Sequence, residues 1–98
     1  MNRDTLLIVD DMEINRAVLR SLFEEQYDII EAENGEQALA LLRKHHGSLA
    51  AVLLDLVMPV KDGYQVMAEM AKSRRLSKVP VIVITSEDSS ENEVRAFD

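Results

Sequence analysis

Leu49-Ala50-Ala51-Val52-Leu53-Leu54, closed by Asp55, is the stretch on which the fold turns. An apolar run with no polar alternation belongs to a strand covered on both faces, the condition of a parallel sheet flanked by helices. Upstream, Thr5-Leu6-Leu7-Ile8-Val9 is a second such run and stops at Asp10-Asp11. Downstream, Pro80 opens a third, Val81-Ile82-Val83-Ile84-Thr85, built entirely of β-branched residues. Tyr27-Asp28-Ile29-Ile30-Glu31-Ala32 alternates more, as an edge strand does.

The stretches between these runs have helical period. Ile14, Ala17, Val18 and Leu22 recur at three and four residues and predict an amphipathic helix from about Glu13 to Glu25. Asn34-Gly35 breaks the chain before a second helix marked by Ala38, Leu41, Leu42 and His45, with Gly47 just past its end. Asp62-Gly63 precedes a third, with Tyr64, Met67, Met70 and Ala71 placed on its apolar face. Ser86 to Ser90 reads as a polar turn and Glu91 to Asp98 as the start of a fourth helix. The order β-α-β-α-β-α-β-α predicts a doubly wound α/β domain on a parallel sheet.

Composition narrows the function classes. Ninety-eight residues make one domain, and 47% apolar residues supply a core. Eleven Lys+Arg against 18 Asp+Glu give a net charge of −7, which disfavours direct nucleic-acid binding. Without cysteine there is neither a disulfide framework nor a thiolate metal site. No apolar run approaches the length of a membrane span and no secretory segment opens the chain, so a cytoplasmic domain without membrane contact is expected.

In doubly wound sheets, ligands bind outside the carboxyl ends of the strands, where the strand order reverses. The first strand ends in Asp10-Asp11, the third in Asp55 and the fourth in Thr85. If the first and third strands are neighbours, these residues meet on one rim. Carboxylates about 4 Å apart repel by roughly 1–4 kcal/mol at effective dielectrics of 80 to 20, so the group calls for a cation. Oxygen ligands without Cys or a nearby His suit a hard divalent ion, and an open site with few protein ligands suits Mg²⁺.

These residues stand within a longer pattern. Leu7-Ile8-Val9-Asp10-Asp11, Asn15-Arg16, Asn34-Gly35-Glu36-Gln37-Ala38-Leu39, Leu53 to Gly63 with Met58-Pro59 and Asp62-Gly63, and Pro80 to Thr85 follow one another in order. Together they resemble the receiver (CheY-like) domain of bacterial two-component response regulators. The resemblance implies a flavodoxin/CheY-like sheet in the order 2-1-3-4-5, and Asp55 as acceptor of a phosphoryl group from a sensor histidine kinase or phosphotransfer protein. It further implies Asp11 as a direct Mg²⁺ ligand, Asp10 as a ligand through water and the backbone carbonyl of Val57 as a third protein contribution. Thr85 is implied as the switch hydroxyl that turns toward the phosphoryl oxygen. Such a domain is a switch, not a metabolic enzyme, and signals to a downstream output domain or protein.

The family pattern continues with a fifth strand, ending in Lys before Pro, and a fifth helix. On that resemblance residues 1–98 are a receiver domain incomplete at its C-terminus, lacking strand 5 and helix 5. The edge of the fourth strand then becomes a candidate for self-association. The alternative function is a phosphorylation-independent protein-interaction module on the same fold. A flavin-binding flavodoxin would want a hydroxyl- and Gly-rich loop where this chain has Asp10-Asp11-Met12-Glu13, and a dehalogenase-type phosphatase would want acid-x-acid there.

Other features have simpler readings. His45 and His46 are adjacent, so on a helix they point about 100° apart and cannot share an ion. Lys72, Arg74, Arg75 and Lys78 read as a solvated basic face, and Met58, Met67 and Met70 as packing. The three glycines form no phosphate-cradling motif.

Overall fold

The structure, a computed structural model, describes residues 4–58 and 60–84. The elements follow the expected alternation: β1 (Thr5–Val9), α1 (Glu13–Phe23), β2 (Asp28–Ala32), α2 (Gly35–His45), β3 (Leu49–Asp55), α3 (Gly63–Lys72), a 3₁₀ turn (Leu76–Lys78) and β4 (Val81–Ile84). All strand pairs are parallel, in the order β2-β1-β3-β4. Thr85 and the expected fourth helix lie outside the described residues.

Parallel register sorts the strand residues into two faces. Ile30, Leu7, Val52 and Val81 form one row, while Glu31, Ile8, Leu53 and Ile82 form the next, on the opposite face. The first face is the main core. Leu7, Val9, Val52 and Leu54 pack there with Ala38, Leu39 and Leu42 of α2 and Val66 and Met70 of α3. Full burial of each such side chain stabilises by about 1.5–3 kcal/mol, so this cluster dominates the energetics. Leu7, Leu42, Val52, Leu54 and Val66 are completely excluded from solvent.

Two helices start as their sequences dictate. Asn34 Oδ1 accepts from Gln37 N at 2.9 Å, capping α2. Asp62 and Gln65 form a reciprocal capping box on α3, both bonds 2.9 Å. Arg43, Lys44 and His45 occupy the last turn of α2, where positive charge complements the exposed carbonyls.

One expectation needs correction. The core face of α3 is Gly63, Val66 and Met70, whereas Tyr64 is 53% exposed and Ala71 faces solvent. Tyr64 follows Gly63 in the first turn and swings off the stripe that continues through Val66 and Met70. The predicted amphipathic helix α1 forms, and its apolar stripe is not buried by the described residues. Ile14, Val18 and Leu22 are 67%, 54% and 65% exposed, and no residue of α1 is fully buried. Ile82 of β4, on the sheet face that α1 overlies, is likewise 52% exposed. Lys72, Arg74, Arg75 and Lys78 are exposed, as a solvated face requires.

Candidate metal centre

The site grows from the pairing of β1 with β3. Val9 pairs with Leu54, so the residues that follow, Asp10 just past β1 and Asp55 at the last position of β3, stand side by side at the sheet's carboxyl edge. Asp10, Asp11 and Asp55 each bring a carboxylate oxygen to within 4.8 Å of the others. Asp10 and Asp55 are buried and Asp11 is exposed. Three hard oxygen donors, two of them walled by the sheet and one open to solvent, fit a divalent ion that keeps water ligands. At this spacing the anions repel by about 1–3 kcal/mol per pair without a cation.

Asp10 is held at each of its polar atoms. Its N–H donates to the Ala32 carbonyl at 3.1 Å, across the β1–β2 seam. Oδ1 accepts from Met12 N at 2.9 Å and Oδ2 from Asn15 Nδ2 at 3.3 Å. Its carbonyl accepts from Arg16 Nη1 at 2.7 Å. Arg16 Nε in turn donates to Glu31 Oε1 at 3.1 Å, and Glu31 Oε2 takes Arg20 Nη1 at 2.6 Å. Asn15, Arg16 and Glu31 therefore surround the acidic loop, although strand and helix patterns alone assign them no role. The available sign was Glu31, an acid standing between apolar Ile30 and Ala32.

Around Asp55 the packing is close. Its Oδ1 accepts from Val57 N at 3.2 Å, which fixes the carboxylate beside the loop that follows. Gly63 N donates to the Leu56 carbonyl at 3.1 Å, and a Cβ on Gly63 would lie 2.5 Å from the Asp55 carbonyl oxygen. Only glycine lets α3 start this near the end of β3. The same loop is tied to α2, because Gly35 N donates to the Lys61 carbonyl at 3.0 Å and Lys61 Nζ lies 3.6 Å from Glu36. Between these anchors Val60 adopts φ 69°, a left-handed conformation costly for a β-branched residue.

The structure thus brings together Asp10, Asp11 and Asp55. It places Val57 beside Asp55 through its amide, and Thr85 lies outside the described residues. No helix among the described residues is long and apolar enough to cross a membrane.

Comparison with known proteins converges on one family. The family model described as "Response regulator receiver domain" matches residues 6–98. The chain is 33% identical over 90 residues to protein PilH of Pseudomonas aeruginosa, covering 91% of this chain and 73% of PilH. It is 32% identical over 98 residues to transcriptional regulatory protein SrrA of Staphylococcus aureus, covering all of this chain. It spans 39% of the length of SrrA, and 34–46% of three further relatives described as transcriptional regulators. Among solved structures, a chain in the CheX-CheY-BeF3-Mg²⁺ complex of Borrelia burgdorferi matches with a TM-score of 0.79 and 27% identity. That match covers 91% of this chain and 66% of the other.

Proposed function

Since the chain belongs to the response regulator receiver domain family, whose members act in two-component signalling, we propose that it is a phosphoacceptor switch with Asp55 as the acceptor. The convergence of Asp10, Asp11 and Asp55 at the β1–β3 edge is the observation that carries this reading. The related Borrelia complex, solved with Mg²⁺ and a fluoride of beryllium that mimics a phosphoryl group, supports it.

In the proposed step a carboxylate oxygen of Asp55 attacks phosphorus of a phosphohistidine on a sensor kinase or phosphotransfer protein. The P–O bond forms as the P–N bond breaks, and the departing imidazole keeps the electron pair and takes a proton. A carboxylate needs no added base for this attack. The protein's task is therefore positioning and charge control. The Val57 N–H fixes the Asp55 carboxylate, and the tight Gly63 contact keeps α3 seated behind it. Asp11 and Asp55 would hold Mg²⁺ directly, Asp10 through water, with the Val57 carbonyl as a further ligand. When bound, Mg²⁺ supplies charge neutralisation between the carboxylates and the incoming phosphoryl oxygens. Thr85, assigned from the sequence alone, is the hydroxyl that reads the phosphoryl group.

Acetyl phosphate with Mg²⁺, followed by intact-mass measurement, tests the proposal. The wild-type chain gains one phosphoryl group and Asp55→Asn gains none. Equal gain by both chains would place the modification elsewhere, and no gain by the wild type would leave only a binding module.

A further inference from the structure

We propose that Arg16 is a positioning residue for the metal-binding acids, acting through the peptide plane that joins Asp10 to Asp11. This inference rests on the metal reading of the site and adds a residue to it.

The geometry is specific. The carbonyl that Arg16 Nη1 contacts at 2.7 Å belongs to the peptide linking Asp10 to Asp11. Because that peptide is planar, fixing its oxygen fixes the backbone direction from which Asp11 projects its side chain. Asp10 is already tied through its own N–H and both carboxylate oxygens. Asp11 is exposed, so its aim depends on that plane more than on packing. The hydrogen bond from a guanidinium is charge-assisted and short, which makes it a stiff restraint.

Arg16 is itself held. Glu31 receives its Nε at 3.1 Å, and Arg20 takes the other Glu31 oxygen at 2.6 Å. The Arg16 side chain is only 14% exposed, against 47% for Arg20. The Ile8–Glu31 register places Glu31 on the sheet face that α1 overlies, so the clamp joins β1, α1 and β2. A planar fork can serve the carbonyl and the carboxylate together, whereas an ammonium is a single point donor. Among the described residues the Arg20 side chain pairs with Glu31 Oε2 and not with the Asp10 carbonyl, which makes it a control for loss of an ion pair without loss of the carbonyl contact.

The test uses Mn²⁺ alone as probe on the full 98-residue chain, well below the melting midpoint of each variant. Free Mn²⁺ is followed by electron paramagnetic resonance, and water-proton relaxation counts the waters left on the bound ion. Arg16→Ala is expected to weaken Mn²⁺ binding by roughly 10-fold, the scale of residues that orient metal ligands, and to add water to the bound ion. Arg16→Lys should fail to restore wild-type affinity, while Arg20→Ala should bind within about twofold of wild type. A purely structural role would lower the melting midpoints and leave affinity and hydration unchanged. If Arg16→Ala does not fold, Arg16→Lys decides: wild-type affinity there overturns the inference. Wild-type chain that binds Mn²⁺, with Arg16→Ala equal to it, overturns the inference alone. Wild-type chain that binds no Mn²⁺ overturns the metal reading and the inference with it.

Discussion

Replacing Gly63 by alanine puts two opposed effects on one atom. Alanine is the better helix former and restricts the unfolded chain, which together favour it by about 0.5–1 kcal/mol. No glycine has positive φ, so the backbone at residue 63 offers no conformational objection. The added Cβ, however, would meet the Asp55 carbonyl oxygen at 2.5 Å, the Leu56 Cα at 2.8 Å and Leu56 Cδ2 at 3.0 Å. Two of these are backbone atoms at the end of a central strand, so relief requires moving α3 as a body. Such overpacking costs typically 1–3 kcal/mol, and at this depth the upper half of that range applies. The net expectation is a loss of about 1–2.5 kcal/mol, or roughly 4–20 °C in the melting midpoint of a domain this size. Gly47 supplies the internal control, because a Cβ there meets nothing within 4 Å. Urea and thermal unfolding of Gly63→Ala, Gly47→Ala and wild type should show the first destabilised and the second unchanged or slightly stabilised. A Gly63→Ala chain at least as stable as wild type would refute the close seating of α3 on β3.

Val60→Asn should stabilise by up to about 1 kcal/mol in urea unfolding, since asparagine tolerates the left-handed φ of 69° and the valine side chain is 77% exposed. Asp62→Ala removes the capping box on α3 and should cost about 1 kcal/mol by the same measurement. Asp11→Asn should raise stability in chelator by about 1–2 kcal/mol through relieved repulsion, an effect that shrinks with added salt. The same variant should lose most of the rise in melting midpoint that Mg²⁺ gives wild type, a rise worth about 2.7 kcal/mol at a hundred times Kd. Lower stability of Asp11→Asn in chelator would contradict the repulsion argument.

The sheet was legible because its two central strands, β1 and β3, lack polar residues in their middles and run directly into acids. Leu49 to Asp55 and Thr5 to Val9 could hardly be anything but two-faced strands, and their observed pairing sets Asp10 beside Asp55. Periodicity did less well on the helices. Tyr64 has the apolar character of a core residue, but it sits one position after the contact that seats α3 and is turned outward. In α1 the pattern correctly marked the helix, yet an amphipathic stripe records only that a face is apolar, not that it is covered. The pairing of Arg16 with Glu31 and the left-handed Val60 were not readable, because the first depends on register and the second on anchoring at both ends of a loop. Charged residues on a helix usually face water. Only the Ile8–Glu31 pairing shows that this Arg and Glu meet beside Asp10.

The acids of the centre come from strands that are adjacent in space but separated in the chain by a helix, an edge strand and another helix. Asp10 and Asp11 are neighbours in one loop, but no local segment brings Asp55 to them. Any opening that parts β1 from β3 takes Asp55 away from the Asp10-Asp11 pair, so on the proposed metal reading affinity for the ion would double as a gauge of cooperative folding.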